Sequence, residues 1–521
     1  MKTDDWQDAL VETFRRNVCT SGDLSPSRCF SEGGTSALPA RRGHPRNLRH
    51  LWYNIPMTNL PAGGQSVPQL YIPRHPLWVN AYNGAWDLWF RQPMSCATAR
   101  SAVGARMRAA QDDAAPRSGA DTPAACGTGQ AASISALQSD ACAFALYARY
   151  AHDMRQAASL LELFHAADTS SPLLAWVEWK FYQATGDCAR LARVFPSLVA
   201  HYERRKSQSR RTSGLYWDVA DESGSPREAH EWVDASAQTA LAAECMAEAA
   251  HALEQNDREH YFRHEWREQC ERINRLCWDE PTGFFLDRRA NGSRSPVKSI
   301  AGLWSLTAGV PSPAQAERLA AHLSDPREFW RIHVFPNLSA DHPRYAERGA
   351  YWRGSVWSLH NYAVIHGLQR YGYDDLALRA ADNHVTTISH VYKETLSHWE
   401  NYMPDYIEPG SIARPDFVPS AGIGAVALLL EVLLGLQIDA PARTLHWTPR
   451  LREPHRIERL RLGNLEATLE VAEAETPSRF QAALSVSAQS ASSVVAPLNL
   501  HLVLPDGERR LEVRDQIRFQ F

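Results

Sequence analysis

The sequence of 521 residues lacks any apolar run of about 18 residues, the length that a membrane-spanning helix needs. Its longest apolar stretch, at residues 425–436, is interrupted by Glu431 and is typical of a buried helix. A large excess of one charge is also absent, because the net charge is −4 and the isoelectric point is about 6.6. We therefore expect neither a membrane nor a nucleic acid as a partner.

Paired cysteine motifs are missing too. The nine cysteines are scattered without C-x-x-C spacing, and residues 1–17 contain acidic side chains but no apolar segment of a secretory signal. An odd, dispersed set of cysteines in a chain of this size predicts reduced thiols, so we expect a cytoplasmic protein.

Sequence motifs for bound phosphate, metal or nucleotide give no support to a cofactor. No P-loop, G-x-S-x-G or H-E-x-x-H motif occurs. Gly422-x-Gly424-x-x-Ala427 opens an apolar helix without the βαβ unit of a dinucleotide site. His360 and His366 stand six positions apart and do not share a helical face. We expect neither a metal nor a redox cofactor.

Tryptophan, in contrast, is abundant. Several of the 17 tryptophans stand beside a carboxylate or an arginine, as in Trp86-Asp87, Trp217-Asp218, Trp352-Arg353 and Trp399-Glu400. A site for sugars needs aromatic platforms for the C–H faces of the rings and charged groups for the hydroxyls. Composition alone leaves open whether these side chains bind a sugar or fill the core.

The composition and periodicity of the sequence divide the chain into three parts. Residues 1–70 are rich in Pro, Gly, Ser and Arg and predict an irregular N-terminal arm. Residues 71–438 carry long amphipathic segments and predict a mainly α domain, with a low-complexity insertion at residues 96–132. Residues 439–521 alternate apolar and polar side chains between turn residues, which predicts a small C-terminal β-sheet or sandwich.

Three short breaks between helical segments have a common form. Each joins a Gly or Asn, where one helix ends, to an Asp suited to the N-cap of the next. Helical hairpins repeated in this way form either a closed ring or a linear solenoid. The breaks are Thr185-Gly186-Asp187, Gln255-Asn256-Asp257 and Tyr371-Gly372-Tyr373-Asp374.

The hexapeptide at residues 397–402 (SHWENY) is the strongest local signal for catalysis. Its Glu400 stands between an aromatic and an amide residue and can be desolvated and oriented together with them. That arrangement suits a general base that must point at one water molecule. The alternative is a glutamate that only caps a helix or pairs with an arginine.

Two further motifs offer groups that could bind a sugar. In the segment at residues 351–357 (YWRGSVW), aromatic residues flank Arg353, whose guanidinium could fork onto neighbouring hydroxyls. In the segment at residues 83–90 (NGAWDLWF), Asp87 is surrounded by aromatic residues. The alternatives are an arginine that joins two helices through carbonyl groups and a buried aspartate that caps a helix.

A fourth motif, at residues 214–227, is a loop crowded with carboxylates. Cleavage of a glycosidic bond needs a protonated carboxyl group as well as a carboxylate. Asp218, Asp221 and Glu222 are all candidates for this acid. The alternative is an acidic turn that is simply solvated.

Taken in chain order, these motifs resemble the trehalase-like inverting glycoside hydrolases, and within them glycoside hydrolase family 63, especially its mannosylglycerate and glucosylglycerate hydrolase-like members. The resemblance covers roughly residues 70–95 and 140–470. The matching segments are Asn83–Phe90, Ser171–Trp176, Thr185–Asp187, Gly214–Tyr216, Ser225–Arg227, Trp232–Gln238, Tyr351–Gly354, Trp399–Tyr402 and Ser420–Gly424.

The resemblance implies an (α/α)6 toroid over residues 71–438 and hydrolysis of a small α-glycoside with inversion of configuration. It implies that Glu400 is the general base. The positions that it implies for sugar binding are Asp87, Arg227 and Arg353. We expect four further residues to bind the substrate with them: Trp86, Asp234, Trp352 and Trp399.

The general acid is where the sequence departs from the family. The family places an Asp two residues before Ser-Pro-Arg, whereas Ser223 stands there in this chain. A serine hydroxyl cannot donate a proton in the working range. Asp221 is the favoured substitute if the loop is shifted, and Glu222 and Asp218 are the alternatives. Without such a donor, the chain would be a toroid with non-hydrolytic acid/base chemistry (an isomerase, lyase or cyclase) or an impaired carbohydrate-binding protein.

Overall fold

The computed structural model describes residues 66–91, 139–165, 171–217, 227, 229–473, 480–488 and 497–521. All of them fall within Leu60–Phe521, one of the two units into which the chain divides. The predicted insertion and the predicted N-terminal arm, apart from residues 66–70, lie outside the described residues.

The first part of this unit is mainly helical, as predicted. Its last helix, α12, continues as two π-helical turns, Ile423–Ala427 and Leu429–Leu433. The helices in chain order are α1 Pro76–Arg91, α2 (residues 139–148), α3 Arg155–His165, α4 Leu173–Thr185, α5 Cys188–Ser209, α6 Val233–Ala252, α7 Asn256–Cys277, α8 Ile300–Thr307, α9 Pro313–Ser324, α10 Ser358–Arg370, α11 Asp374–Thr395 and α12 Val418–Gly422.

Alternate helices are neighbours in space. Helix α4 packs on α6, α6 on α8, α8 on α10, and α10 on the π-helical segment after α12. That segment and α12 also pack on α1, which in turn packs on α11. The last helical segment therefore returns to the first helix that the structure describes.

The first predicted hairpin break forms as expected. Helix α4 ends at Gly186, which has a φ of 68° and donates its N–H to the Tyr182 carbonyl. Asp187 is the N-cap of α5 and accepts the Arg190 N–H at 2.9 Å. The other two breaks lie at helix boundaries, but there Gln255 and Tyr373 are the N-cap residues, so the predicted Asp caps are wrong by one or two positions.

Two helix predictions need correction. The amphipathic pattern of residues 141–164 predicts one helix, but the structure interrupts it at residues 149–154, and Asp153 accepts the Arg155 N–H at the start of α3. Helix α8 was not predicted. All eight of its residues are buried, so it has no polar face and shows no amphipathic period.

A buried polar cluster lies among the helices. Glu431 pairs with Arg149 and accepts the hydroxyl groups of Tyr150 and Tyr362, each at 2.8 Å. Burial acts to raise the pKa of Glu431, but the Arg149 charge and the His366 hydrogen bond lower it below its usual value. Because the Glu431 carboxylate is paired with Arg149, the cluster avoids the cost of an isolated buried charge.

The C-terminal strands form two sheets, which confirms a C-terminal sheet. One sheet has the order β1-β6-β7-β8-β11 and the other has the order β10-β9-β5-β4. The first includes β1, Gln69–Tyr71, from the start of the described chain, which pairs antiparallel with β6. The remaining strands are the short β2 Trp278–Asp279 and β3 Phe284–Phe285, then β4 Leu436–Asp439, β5 Thr444–Trp447, β6 His455–Leu462, β7 Leu465–Glu473, β8 Phe480–Ala488, β9 Leu498–Leu504, β10 Gly507–Val513 and β11 Gln516–Gln520.

Membrane and redox features can be stated for the described residues. None of the helices there combines the length and the apolar character needed to cross a membrane. Five cysteines of that part of the chain are free thiols: Cys142, Cys188, Cys245, Cys270 and Cys277.

Candidate active site

An aromatic cluster precedes α10. The Trp352 and Trp357 rings stack with centroids 5.3 Å apart and planes at 11°, and Tyr351 lies edge-on to both. The turn Tyr351–Arg353 ends at Gly354, where φ is 136° and an added Cβ would lie 2.9 Å from the Ala346 carbonyl oxygen. Only glycine fits there without strain, so the YWRG motif fixes the path of the aromatic residues.

Glu400 lies beside this cluster and is only 4% exposed. Its backbone N–H donates to the Arg414 carbonyl at 3.0 Å. Its carboxylate accepts the Tyr351 hydroxyl at 3.3 Å on Oε1. The expected desolvation and orientation of Glu400 are both present.

Arg414 holds the Glu400 carboxylate from the other side. Its Nη2 donates to Oε1 at 2.7 Å, its Nε to Oε2 at 3.0 Å, and its backbone N–H to Oε2 at 3.3 Å. Although the carboxylate is buried, the Arg414 side chain is 63% exposed. The alternative role, a glutamate paired with an arginine, is therefore also present, and the carboxylate of this pair is buried.

A second polar group surrounds Arg227. Its guanidinium donates to Asp287 Oδ1 at 2.8 Å and to Asp234 Oδ2 at 3.1 Å, and it lies 4.5 Å from the centre of the Trp232 ring. The Arg227 side chain is 6% exposed, whereas Asp234 keeps 18%. Burial acts to raise the pKa of Asp234, but the Arg227 charge and hydrogen bonds lower it, so this carboxyl group is ionised.

His360, on the first turn of α10, lies next to Asp234. Burial lowers the pKa of His360 to about 4, against the opposing effect of the Asp234 charge. The ring is therefore neutral at pH 7. Its Nδ1 accepts the Trp304 indole N–H at 2.9 Å, and an indole nitrogen can only donate. The proton of the imidazole must then sit on Nε2, which makes His360 a neutral hydrogen-bond donor.

The start of α10 brings the two polar groups together. Trp357, its N-cap residue, has its ring centre 5.0 Å from that of Tyr351, whose hydroxyl donates to Glu400. Three residues later, His360 faces Asp234 and Arg227. The start of α10 therefore connects two pairs of predicted residues: Glu400 with Trp352, and Arg227 with Asp234.

Trp86 is placed elsewhere. It is 0% exposed and its ring contacts Tyr82, Trp89 and Tyr147. A ring without exposed surface has no face to offer a sugar, which corrects the prediction that Trp86 contacts substrate. It is a core residue. Asp87, its neighbour on α1, is half-buried.

The remaining predicted residues give a mixed result. Arg353 and Trp399 are both half-buried, and the Trp399 indole donates to Thr395 Oγ1 at 3.1 Å. In the described part of the chain, the Arg353 guanidinium has no hydrogen-bonding side chain as a partner. The three candidate acids, Asp218, Asp221 and Glu222, lie outside the described residues.

Four residues near the predicted ones are not identified as sugar-binding or catalytic residues by the sequence. Their partners are distant in the chain: Arg414 is 14 residues from Glu400, and Asp287 is 60 residues from Arg227. No local motif marks them. They are Asp140, Asp287, His360 and Arg414.

One surface group in the described residues has the spacing of a metal site. The ligand atoms of His264, Glu265 and Glu268 on α7 lie within 4.8 Å of one another. Glu265 already pairs with Lys206 at 2.9 Å and Glu268 pairs with Arg272. The lysine and arginine charges of these pairs compensate the two carboxylates without a metal ion.

Comparison with known proteins gives a family match over part of the chain. Residues 223–409 match the family described as "Mannosylglycerate hydrolase MGH1-like glycoside hydrolase domain". This range includes Arg227, Asp234, Arg353 and Glu400. It does not include Asp140 or the three candidate acids.

Two curated relatives align over limited lengths. An uncharacterised protein of Borreliella burgdorferi is 26% identical over 313 residues, which cover 57% of this chain and 66% of that protein. The mannosylglycerate hydrolase of Thermus thermophilus is 34% identical over 116 residues, which cover 22% of this chain and 28% of that enzyme. The chain thus spans less than two thirds of each of these relatives.

A structural likeness extends further. An α-L-rhamnosidase of Streptomyces avermitilis is similar in fold, with a TM-score of 0.51 and 17% identity, over 74% of this chain and 38% of that one. At this identity the likeness concerns the fold alone. Over residues 223–409 the chain is thus similar to mannosylglycerate hydrolase MGH1-like glycoside hydrolases, which agrees with the resemblance that the motifs indicated.

Proposed function

We propose that this protein is an inverting glycoside hydrolase that cleaves a small α-glycoside by general acid/base catalysis. The observation that carries the proposal is the position of Glu400: a buried carboxylate that contacts Tyr351 of the aromatic cluster and is held on both oxygens. The neighbour relations of alternate helices, and the return of the last helical segment to α1, support an (α/α)6 toroid around this site.

In the proposed reaction, Glu400 takes a proton from a water molecule as that water attacks the anomeric carbon. The bond between this carbon and the glycosidic oxygen breaks, and its electron pair goes to the oxygen, which receives a proton from a second carboxyl group. The sequence favours Asp221 as this donor, with Glu222 and Asp218 as alternatives. The products are the free sugar and an alcohol.

Arg414 sets a condition on this role. Both Glu400 oxygens already accept hydrogen bonds, so a water molecule must replace one of the donors. The two longest bonds, from the Tyr351 hydroxyl and from the Arg414 backbone, are both 3.3 Å, one on each oxygen. The Arg414 side chain is 63% exposed, so it can move toward solvent when a water molecule takes its place on the carboxylate.

The second polar group is suited to sugar hydroxyls. Asp234 is ionised and partly exposed, and can accept a hydroxyl hydrogen. His360 is neutral and can donate from Nε2. Arg227 gives its donors to Asp234 and Asp287, so we propose that it acts mainly by fixing Asp234.

A second candidate function is a sugar-binding protein without turnover. The bidentate contact between Arg414 and Glu400 favours it, because a carboxylate held permanently in this way cannot accept a proton from water. The two candidates differ in turnover and agree in sugar binding.

The test is hydrolysis of a panel of α-glycosides: mannosylglycerate, glucosylglycerate, trehalose and aryl α-glycosides. Wild type should release sugar from at least one of them, and Glu400→Gln should reduce kcat by at least about a thousandfold, as expected for loss of the base. Glu408→Gln is the matched control, because Glu408 is exposed in the same loop. It should keep wild-type activity.

Binding of these compounds measured by calorimetry separates the alternatives. Sugar binding by wild type without release of product would favour the second candidate. Equal activity of Glu400→Gln and wild type would exclude Glu400 as the base.

A further inference from the structure

Helix α2 directs one carboxyl group toward the Glu400 site. Tyr147 near its C-terminal end donates to the Val418 carbonyl at 3.1 Å and packs against Gly422 of α12. Asp140 stands seven residues earlier, two turns or about 10 Å along the same face. Arg414 stands four residues before Val418, and the electrostatic interactions of Asp140 with Arg414 and Glu400 show that its carboxyl group lies near the Glu400 site.

The charges around Asp140 agree with this placement. Its carboxyl group interacts electrostatically with Arg414, Glu400 and Tyr351. Burial raises the pKa of Asp140 to about 7, the nearby Arg414 charge lowers it, and the Glu400 charge raises it further. Acid/base hydrolysis requires one carboxyl group with a raised pKa near a second carboxyl group that acts as the base.

We propose that Asp140 is the proton donor of the hydrolytic reaction, with Glu400 as its basic partner. The inference rests on the proposed function and assigns to Asp140 a role that the motifs predict for the loop at residues 218–222. In the step, the Asp140 carboxyl group gives its proton to the glycosidic oxygen as the bond to the anomeric carbon breaks. The attacking water gives its proton to Glu400, and proton exchange with solvent restores both groups.

In this reaction, Arg414 compensates the negative charge of whichever of the two carboxyl groups is ionised. Before the reaction Glu400 is the anion, and after it Asp140 is the anion. Arg414 interacts with both, so its charge is compensated in either state. A cation shared in this way lowers the cost of moving the negative charge from one side of the site to the other.

The test uses the dependence of the rate on the leaving group. A phenyl glycoside needs protonation of its leaving oxygen, whereas a dinitrophenyl glycoside leaves as a stable anion. Asp140→Asn should lower kcat/KM for the phenyl substrate by about 100- to 10,000-fold and for the dinitrophenyl substrate by less than about tenfold. The activity that remains on the dinitrophenyl substrate also shows that the variant is folded.

Asp382→Asn is the matched control. Asp382 is another half-buried carboxyl group on α11 whose pKa is raised by burial, but its partner is Thr386. This variant should behave as wild type on both substrates. In wild type, kcat/KM for the phenyl substrate should fall as the pH rises through about 7, and this limb should vanish in Asp140→Asn.

Three results would overturn the inference. An equal loss on both substrates would make Asp140 a positioning residue. Wild-type kinetics in Asp140→Asn, with the leaving-group signature in Asp221→Asn, would return the donor role to the loop and leave the proposed function intact. Failure of wild type to cleave any glycoside would overturn the proposed function, and the donor role with it.

Discussion

At the scale of single residues, the hydrogen bond between Trp304 and His360 determines which imidazole nitrogen faces the site. Trp304 is 1% exposed, so its indole N–H has no access to water if His360 is removed. We predict that His360→Phe lowers the free energy of unfolding by about 1–3 kcal/mol, the cost of a buried donor without a partner. Urea unfolding measures this change.

The double variant Trp304→Phe with His360→Phe provides the control. With both polar groups removed, the two substitutions should cost less together than the sum of their single effects. Strict additivity would mean that the two side chains do not interact, and the assignment of the proton to Nε2 would lose its basis.

The site could be predicted from the sequence only where it depends on neighbours in the chain. Glu400 and the aromatic residues at positions 351–357 stand in short motifs, and the structure brings them together. Arg414 could not be found in this way, because it meets Glu400 only through the folding of the loop between α11 and α12, and Asp140 could not, because it lies on the separate helix α2. Trp86 stands in an equally clear motif and is a core residue, since aromatic side chains fill cores as readily as they bind sugars.

At the scale of elements, the hairpin at residues 185–187 depends on its N-cap. Asp187 accepts the Arg190 N–H, one of the donors without a partner inside α5. We predict that Asp187→Ala lowers the free energy of unfolding by about 1 kcal/mol. Asp257→Ala is the matched control and should cost only a few tenths of a kcal/mol, because Asp257 lies in the first turn of α7 and is not its cap. Equal losses, measured by thermal unfolding, would contradict the assignment of the caps.

Helices were predictable where they have two faces. The helical period of segments such as α5 and α7 predicts a mainly α domain. The alternation of apolar and polar side chains after residue 438 predicts the sheets. Helix α8 is buried on all sides and carries no period, and the pairing of β1 with β6 joins residues nearly 390 positions apart. Contacts of this kind depend on how distant segments of the chain pack together, and no local sequence pattern predicts that packing.

At the scale of the whole molecule, buried histidines make stability depend on pH. The burial of their rings lowers the pKa of His384 to about 3 and the pKa values of His360 and His398 to about 4, and it holds that of His333 well below its usual range. The unfolded chain binds protons at about pH 6.5, so the folded state loses stability as the pH falls from there toward 4, by about 1.4 kcal/mol per unit for each group. The raised pKa of Asp140 acts in the opposite direction, because the folded state keeps that proton.

Urea unfolding between pH 7 and pH 4.5 should therefore show falling stability. His384→Asn should reduce the slope, whereas His260→Asn, at an exposed position on α7, should leave it unchanged. A stability that stays flat or rises over this range would show that these rings are protonated in the folded protein.

The central claim is that Glu400 directs a water molecule to the face of the sugar opposite the leaving group. Proton NMR of the first-formed anomer tests it most directly. For an α-glycoside that wild type cleaves, we predict that the β-anomer is released first and that Glu400→Gln releases no sugar above background. First release of the α-anomer would contradict this account.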